Sequence, residues 1–232
     1  MKINKQDIYV SLIIALIVLL FYFSDTVLQA YLSFNKNHGM ITSFVKFGLL
    51  ATFGEMVGLR IKTGQYYSGE FGLFPKIMVW GFLGLTIKMA FVVFATGTPV
   101  FMEYLGISGA TASMGNSTTY TKLFVAFAIS IAMNVMYAPV MMTFHKITDL
   151  HIASHKGKTR SLFLPVNFAA QFKAINWDIQ WHFVLKKTIP LFWIPAHTFT
   201  FLLPPDFQVL FAALLSVLLG LILALASLKS KK

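Results

Sequence analysis

Between Phe207 and Leu228 the chain carries no charged residue, and nearly every position is Leu, Ala, Val, Ile or Phe. A helix needs about 20 mostly apolar residues to cross the hydrocarbon core of a bilayer. This run meets that length, and a soluble domain has no way to surround such a stretch. The rest of the chain agrees. Charged residues make up 12% of the 232 positions and hydrophobic ones 57%, at a mean hydropathy of +0.72. A soluble domain has about 25% charged residues. The absence of cysteine excludes a disulfide framework, a thiolate metal site and a redox pair.

Four further apolar runs predict crossings: Ile8 to Tyr31, Ile41 to Leu59, Ile77 to Ala95 and Leu123 to Phe144. The first follows Lys2 and Lys5. It is too long for a signal peptide and lacks a clean small-residue cleavage site, so it is expected to be an uncleaved anchor. Trp177 to Leu203 has an N-cap in Asn176 but is interrupted by Pro190 and Pro195. It predicts an interfacial helix leading into a short, bent crossing, with a re-entrant hairpin as the alternative. The expected fold is therefore all-α, a polytopic transmembrane bundle of about six helices with the fifth kinked or broken. Residues 1–40 form an anchor helix and outer loop, and residues 41–232 the main bundle. Within the bundle, 145–176 is expected as a basic cytoplasmic loop and Thr96 to Thr121 as an outer loop.

The net charge of +11 raises nucleic acid as a partner, but the cations sit between apolar runs, where they meet anionic headgroups. With six crossings and both termini cytoplasmic, only Lys36 and Lys122 fall outside, while Lys46 and Lys88 lie within spans. Such an asymmetry, with short loops and no targeting peptide, suits a bacterial inner membrane. The expected partners are a bilayer with anionic headgroups and a small solute or ion. No nucleic acid and no cofactor are expected, and a homo-oligomer is left open.

An ionisable group inside a span costs about 2.5–3.5 kcal/mol on insertion scales, and so should face a cavity or a partner. At about 1.5 Å per residue, Lys46, Lys88, Asn134 and His197 all lie roughly 15–20 Å from the inner helix ends. Together they predict a water-accessible, net-positive constriction that favours anions. The competing arrangement is structural, with Lys46 paired to Asp25 and Lys88 to a backbone carbonyl or Glu55. Glu55 stands at the inner mouth, either as a cation site or, as favoured here, paired with Arg60 or Lys62. His145, Asp149, His151 and His155 have helical spacing for a zinc or iron site, which makes a membrane metalloenzyme the alternative, with His182 as a further ligand. The cations Lys146, Lys156 and Lys158 among them oppose a metal. A structural scaffold is a third reading. There is no phosphate-binding Gly-rich loop and no Gly-x-Ser-x-Gly elbow, and Ser113 and Ser117 have no histidine partner in sequence. The chain is expected not to be an enzyme.

Several short motifs recur in a fixed order: Gly54-Glu55; Gly97, Pro99 and Tyr104; Asn134 and Pro139; and Trp193, Pro195, Phe201 and Pro205. In order and spacing these resemble the family of the 22-kilodalton peroxisomal membrane protein and its mitochondrial inner-membrane relatives, the Mpv-seventeen family. The resemblance runs from Ile41 to the C-terminus. Met133, Leu59 and Val209 stand where that family carries Asp, Gln and Arg, and His197 and Thr200 replace two amides. The resemblance implies a small membrane channel or transport-related protein for small solutes or ions.

Overall fold

The computed structural model describes residues 4–115 and 119–229, with side chains through Ile222. Lys2, Ser117, Lys231 and Lys232 lie outside the described residues. Among the described residues all regular structure is helical: α1 (Lys5–Phe23), α2 (Asp25–Asn37), α3 (Gly39–Thr63), α4 (Leu73–Tyr104), α5 (Ala110–Ser113), α6 (Tyr120–Met136) and α7 (Ala138–Ser154). A 3-10 turn (Thr159–Phe163) follows, then α8 (Phe168–Ala174), α9 (Trp177–Ile179), a π-helix (Gln180–Trp193), α10 (Ile194–Leu202) and α11 (Pro205–Lys229).

Among the described residues four helices, α1, α3, α4 and α11, are each long and apolar enough to cross a membrane. The pair α6 and α7 adds a fifth if its two members, bent by 42°, form one span. The expected first span differs from the structure. It breaks at Ser24, whose extended backbone ends α1 and whose hydroxyl accepts from Val27 N–H to start α2. Ser favours such a cap over a helix interior because its side chain competes for backbone donors. The segment at 96–121 is a loop only beyond Tyr104, and even there it holds the short α5. Helix α4 runs through Pro99 to Tyr104, and only there does the chain turn. Nor is 145–176 a loop throughout, because α7 continues to Ser154. Both helices outlast their apolar runs.

The bend between α6 and α7 falls at Tyr137. Pro139, in the first turn of α7, has no N–H to continue the ladder of α6. The segment 177–202 is a single winding helical stretch rather than a broken one. Its N-cap is the expected Asn176, whose side-chain Oδ1 accepts from Ile179 N–H. The i to i+5 pattern contains Pro190 and closes with Ile194 N–H donating to Ile189 O. This segment is not among the helices that meet the length and apolarity of a span.

Contacts fix how the helices run. Helices α3 and α4 form an antiparallel pair. Helix α11 lies parallel to α3: Asn35, just before α3, donates from Nδ2 to Asp206 O at the start of α11 (3.1 Å), and Gly54 meets Gly220 one helix length later. A Cβ on Gly54 would stand 2.9 Å from the Val217 Cα, and one on Gly220 2.8 Å from the Gly54 carbonyl oxygen, so the two backbones touch. At the end of the bundle marked by Arg60, the chain also begins α1, because Asp7 bonds the Arg60 guanidinium through Nε (2.9 Å) and Nη2 (2.6 Å). The starts of α1 and α4 and the ends of α3, α7 and α11 therefore share one end, called here the basal end. Helix α11 starts at the opposite end, so 177–202 carries the chain back from the basal end to it.

Helix α1 buries no residue, and Leu12, Leu16, Val18 and Leu20 all face outward. The main core sits in the distal half, where Phe47, Phe91, Val125, Ile129, Phe201 and Ala213 pack together.

Candidate functional site

Polar side chains inside the bundle gather in three places. The first is distal. Lys46, 7% exposed, donates from Nζ to Asn35 Oδ1 at 2.5 Å and lies 5.0 Å from the centre of the Tyr31 ring. Thr42 Oγ1 donates to the same oxygen at 2.9 Å. Lys88 leans the same way, since its Cε is 3.5 Å from where a Gly39 Cβ would be. Asp25, the expected partner of Lys46, is exposed at the start of α2, and Asn35 holds the ammonium instead.

The second group lies mid-bundle. Asn134 is wholly buried and donates from Nδ2 to Ser130 O (2.8 Å), while His197 Nδ1 stands 3.0 Å from the same nitrogen. Asn134 Oδ1 is 3.2 Å from the same ring nitrogen, so Nδ1 accepts from the amide in one tautomer and donates to it in the other. The imidazole stacks against Trp193, with centroids 5.2 Å apart, and meets Phe91 edge-on at 5.8 Å. Ser130 Oγ crosses to Ile194 O at 2.7 Å and ties α6 to α10.

The third group is basal. Glu55 accepts from Lys76 Nζ at 2.6 Å and from Trp80 Nε1 at 2.7 Å, and His145 Nε2 stands 3.4 Å away. Lys76 also bonds Asp149, which has Lys146 at 3.9 Å. Burial at this depth requires that each charge find an opposite one. The expected partners of Glu55 were Arg60 and Lys62. Lys76 takes that role, and Arg60 turns to Asp7.

A cavity of about 320 Å³ joins the second group to the third. Asn134, His197 and Trp193 line its deep end, and Glu55, His145, Asp149 and Gln180 its basal end. Between them its wall is mostly apolar, formed by Met133, Met141, Met142, Ala212 and Leu219, with the hydroxyls of Tyr137, Thr188 and Ser216 bonded to Thr86, Val184 O and Ala212 O. Beyond the deep end, one or two turns along the same helices, Phe91, Ile129 and Phe201 fill the interior. Of the four residues expected to form one constriction, Asn134 and His197 meet at the cavity. Lys46 and Lys88 do not line it and stand together on its distal side. Gly54 lies on the cavity wall. Pro139 sets the bend beside it, Pro195 begins α10, Pro205 begins α11, and Phe201 packs in the core. Pro99 is buried within α4.

The residues weighed as metal ligands do not converge. His145 and Asp149 face Glu55 and Lys76. His151 Nε2 bonds Ser161 O at 2.9 Å, and His155 Nδ1 bonds His151 O at 2.8 Å. His182 sits 3.7 Å from Asp178 on the exposed face of the π-helix. Among the described residues no group of three or more such side chains could hold a metal ion.

Sequence reasoning passed over Gln180, Trp80 and Lys76. Trp80 and Gln180 carry no motif. Lys76 reads as a loop cation until α4 is seen to begin before it. No family model, curated protein or solved structure matches this chain.

Proposed function

We propose that this chain is a small transport protein of a cell membrane, with the cavity as its solute chamber. The observation that carries this reading is a roughly 320 Å³ space inside a bundle of apolar helices, polar at both ends and mostly apolar between. Small-molecule sites have this composition, at about 300–1,000 Å³. A chamber that ends against Phe91, Ile129 and Phe201 fits a carrier or a gated channel better than an open pore. The basal end carries Glu55 and Asp149 against Lys76 and Lys146, so the chamber itself supplies no net-positive ring.

In this reading the segment 177–202 is the fifth of six crossings, since only a traverse there brings α7 back to the start of α11. The basal end is cytoplasmic, in a bacterial inner membrane, because Lys5, Arg60, Lys62 and Lys76 cluster at it. The test is release of small solutes from vesicles reconstituted with the purified protein. Release above that of protein-free vesicles, reduced when Ala212→Trp fills the chamber, is the expected result. Vesicles that leak no faster than lipid alone, for neutral, anionic and cationic solutes alike, would remove the reading.

A further inference from the structure

The hydrogen-bonding groups of the cavity wall are unequally satisfied. Asn134, Glu55 and Asp149 have partners. Trp193, Gln180 and His145 do not: Trp193 Nε1, Gln180 Nε2 and His145 Nδ1 are buried with no hydrogen-bond partner among the described residues, and Trp193 and Gln180 are only 8% and 5% exposed. The imidazole nitrogen donates or accepts with its tautomer, so the indole and the amide are the two fixed donors. A buried donor left unmade costs about 1–3 kcal/mol, so two on one wall mark places where something else accepts. Indole N–H can only donate, and the amide nitrogen of Gln180 also donates. The two residues stand at opposite ends of the π-helix, whose wider turns rise less per residue than the about 1.5 Å of an α-helix, so the span along its axis is under roughly 20 Å. The wall between them is Met-rich and carries no charge. Methionine side chains adapt to irregular apolar shapes.

Water alone is a poor occupant of that middle stretch, because the hydroxyls there, on Tyr137, Thr188 and Ser216, are already bonded within the protein and leave it few of the two to four polar partners it needs. A charged ligand is disfavoured as well, since the carboxylates and ammonium groups of the basal end already neutralise one another. We infer that the cavity binds an elongated, uncharged molecule with an apolar body and a hydrogen-bond acceptor at each end. Trp193 Nε1 receives the deep acceptor and the Gln180 amide receives the one at the mouth. This rests on the transport reading for its biological sense, but the binding itself does not.

The experiment uses the full chain in lipid nanodiscs and a homologous series of linear diketones with one carbonyl near each end, labelled with carbon-13 at both carbonyls. Monoketones and alkanes of equal length serve as controls. One diketone length is expected to show a bound state with both carbonyl resonances moved downfield by hydrogen bonding. Its affinity should be at least tenfold above that of the matched monoketone, about 1.4 kcal/mol. Trp193→Phe should abolish one shift and Gln180→Met the other, each bringing the diketone down to monoketone affinity. Both variants keep the bulk of the side chain, and unchanged helical circular dichroism reports their folding. Equal affinity for diketone and monoketone, a preference that survives both substitutions, or no bound state at all would overturn the inference. Vesicle flux on the same preparation separates the two ideas. Flux without diketone binding sinks this ligand class and leaves the transport reading. Binding without flux of any solute keeps the ligand and removes transport.

Discussion

At the scale of single residues, the basal cluster shows how a charge becomes tolerable inside a bundle. Lys76 is shared between Glu55 and Asp149, and Trp80 N–H donates to the other oxygen of Glu55. Removing the cation should hurt more than removing one anion, because two carboxylates then face each other about three-quarters buried. Lys76→Met is therefore expected to destabilise by more than Glu55→Gln, for which about 2 kcal/mol is a fair magnitude. The double variant should recover part of the loss, and a double-mutant cycle of detergent-solubilised protein reads the coupling directly. Additive losses would mean the pair is not coupled. The distal lysines give a different expectation. Lys88 is off the cavity wall, so Lys88→Gln should leave the reversal potential in planar bilayers unchanged, and a clear shift toward cations would bring it into the permeation path.

At the scale of elements, the α3–α11 contact depends on two glycines. With the Val217 Cα 2.9 Å from a Gly54 Cβ, the neighbour is backbone and cannot rotate away. Gly54→Ala should push the helices apart and cost about 1–3 kcal/mol. Gly58, one turn on, has nothing closer than 3.9 Å, so Gly58→Ala should be neutral or stabilise by up to about 1 kcal/mol through helix propensity. Thermal inactivation of the two variants side by side makes the comparison, and equal effects would contradict the close approach. Helix α1 stands at the other extreme. It buries no side chain and is held to α3 at its start by Asp7 and Arg60. Asp7→Asn should lower the yield of disulfide cross-links between cysteines placed on α1 and α3 while leaving α3–α11 cross-links intact.

For the whole molecule, parallel α3 and α11 impose a topology. The starts of α1 and α4 and the end of α3 share one end, while Lys36 and Gly106 belong to the other. The chain has no native cysteine, so single substitutions give a clean readout. Lys5→Cys, Gly69→Cys and Lys158→Cys should react with a membrane-impermeant thiol reagent from one side of the membrane, and Lys36→Cys and Gly106→Cys from the other. Mixed sidedness within either group would mean that the bundle does not cross as arranged here.

Much of this architecture can be read from the chain because apolar runs of membrane length have few alternatives. The spans at Ile41–Leu59, Ile77–Ala95 and Phe207–Leu228 each fall inside a helix of the structure. Helix ends were less legible. Helices α4 and α7 continue past their apolar runs because backbone hydrogen bonding does not stop where hydrophobicity does. Serine 24 ends α1 inside an apolar run because a local cap outweighs composition. The polar partners were least legible. Depth along a helix can be counted, which put Asn134 and His197 at one level, but counting gives no rotation about the axis. Lys46 and Lys88 share that rough depth and reach distally instead. Hydropathy and the cost of burying charge are properties of the chain itself, and they determined that it is helical and has segments fit to cross a membrane. Which charge meets which, and that the unpartnered donors of Trp193 and Gln180 border one cavity, was decided only by the packing of helices distant in sequence, because a side chain's facing is set by the neighbour it packs against.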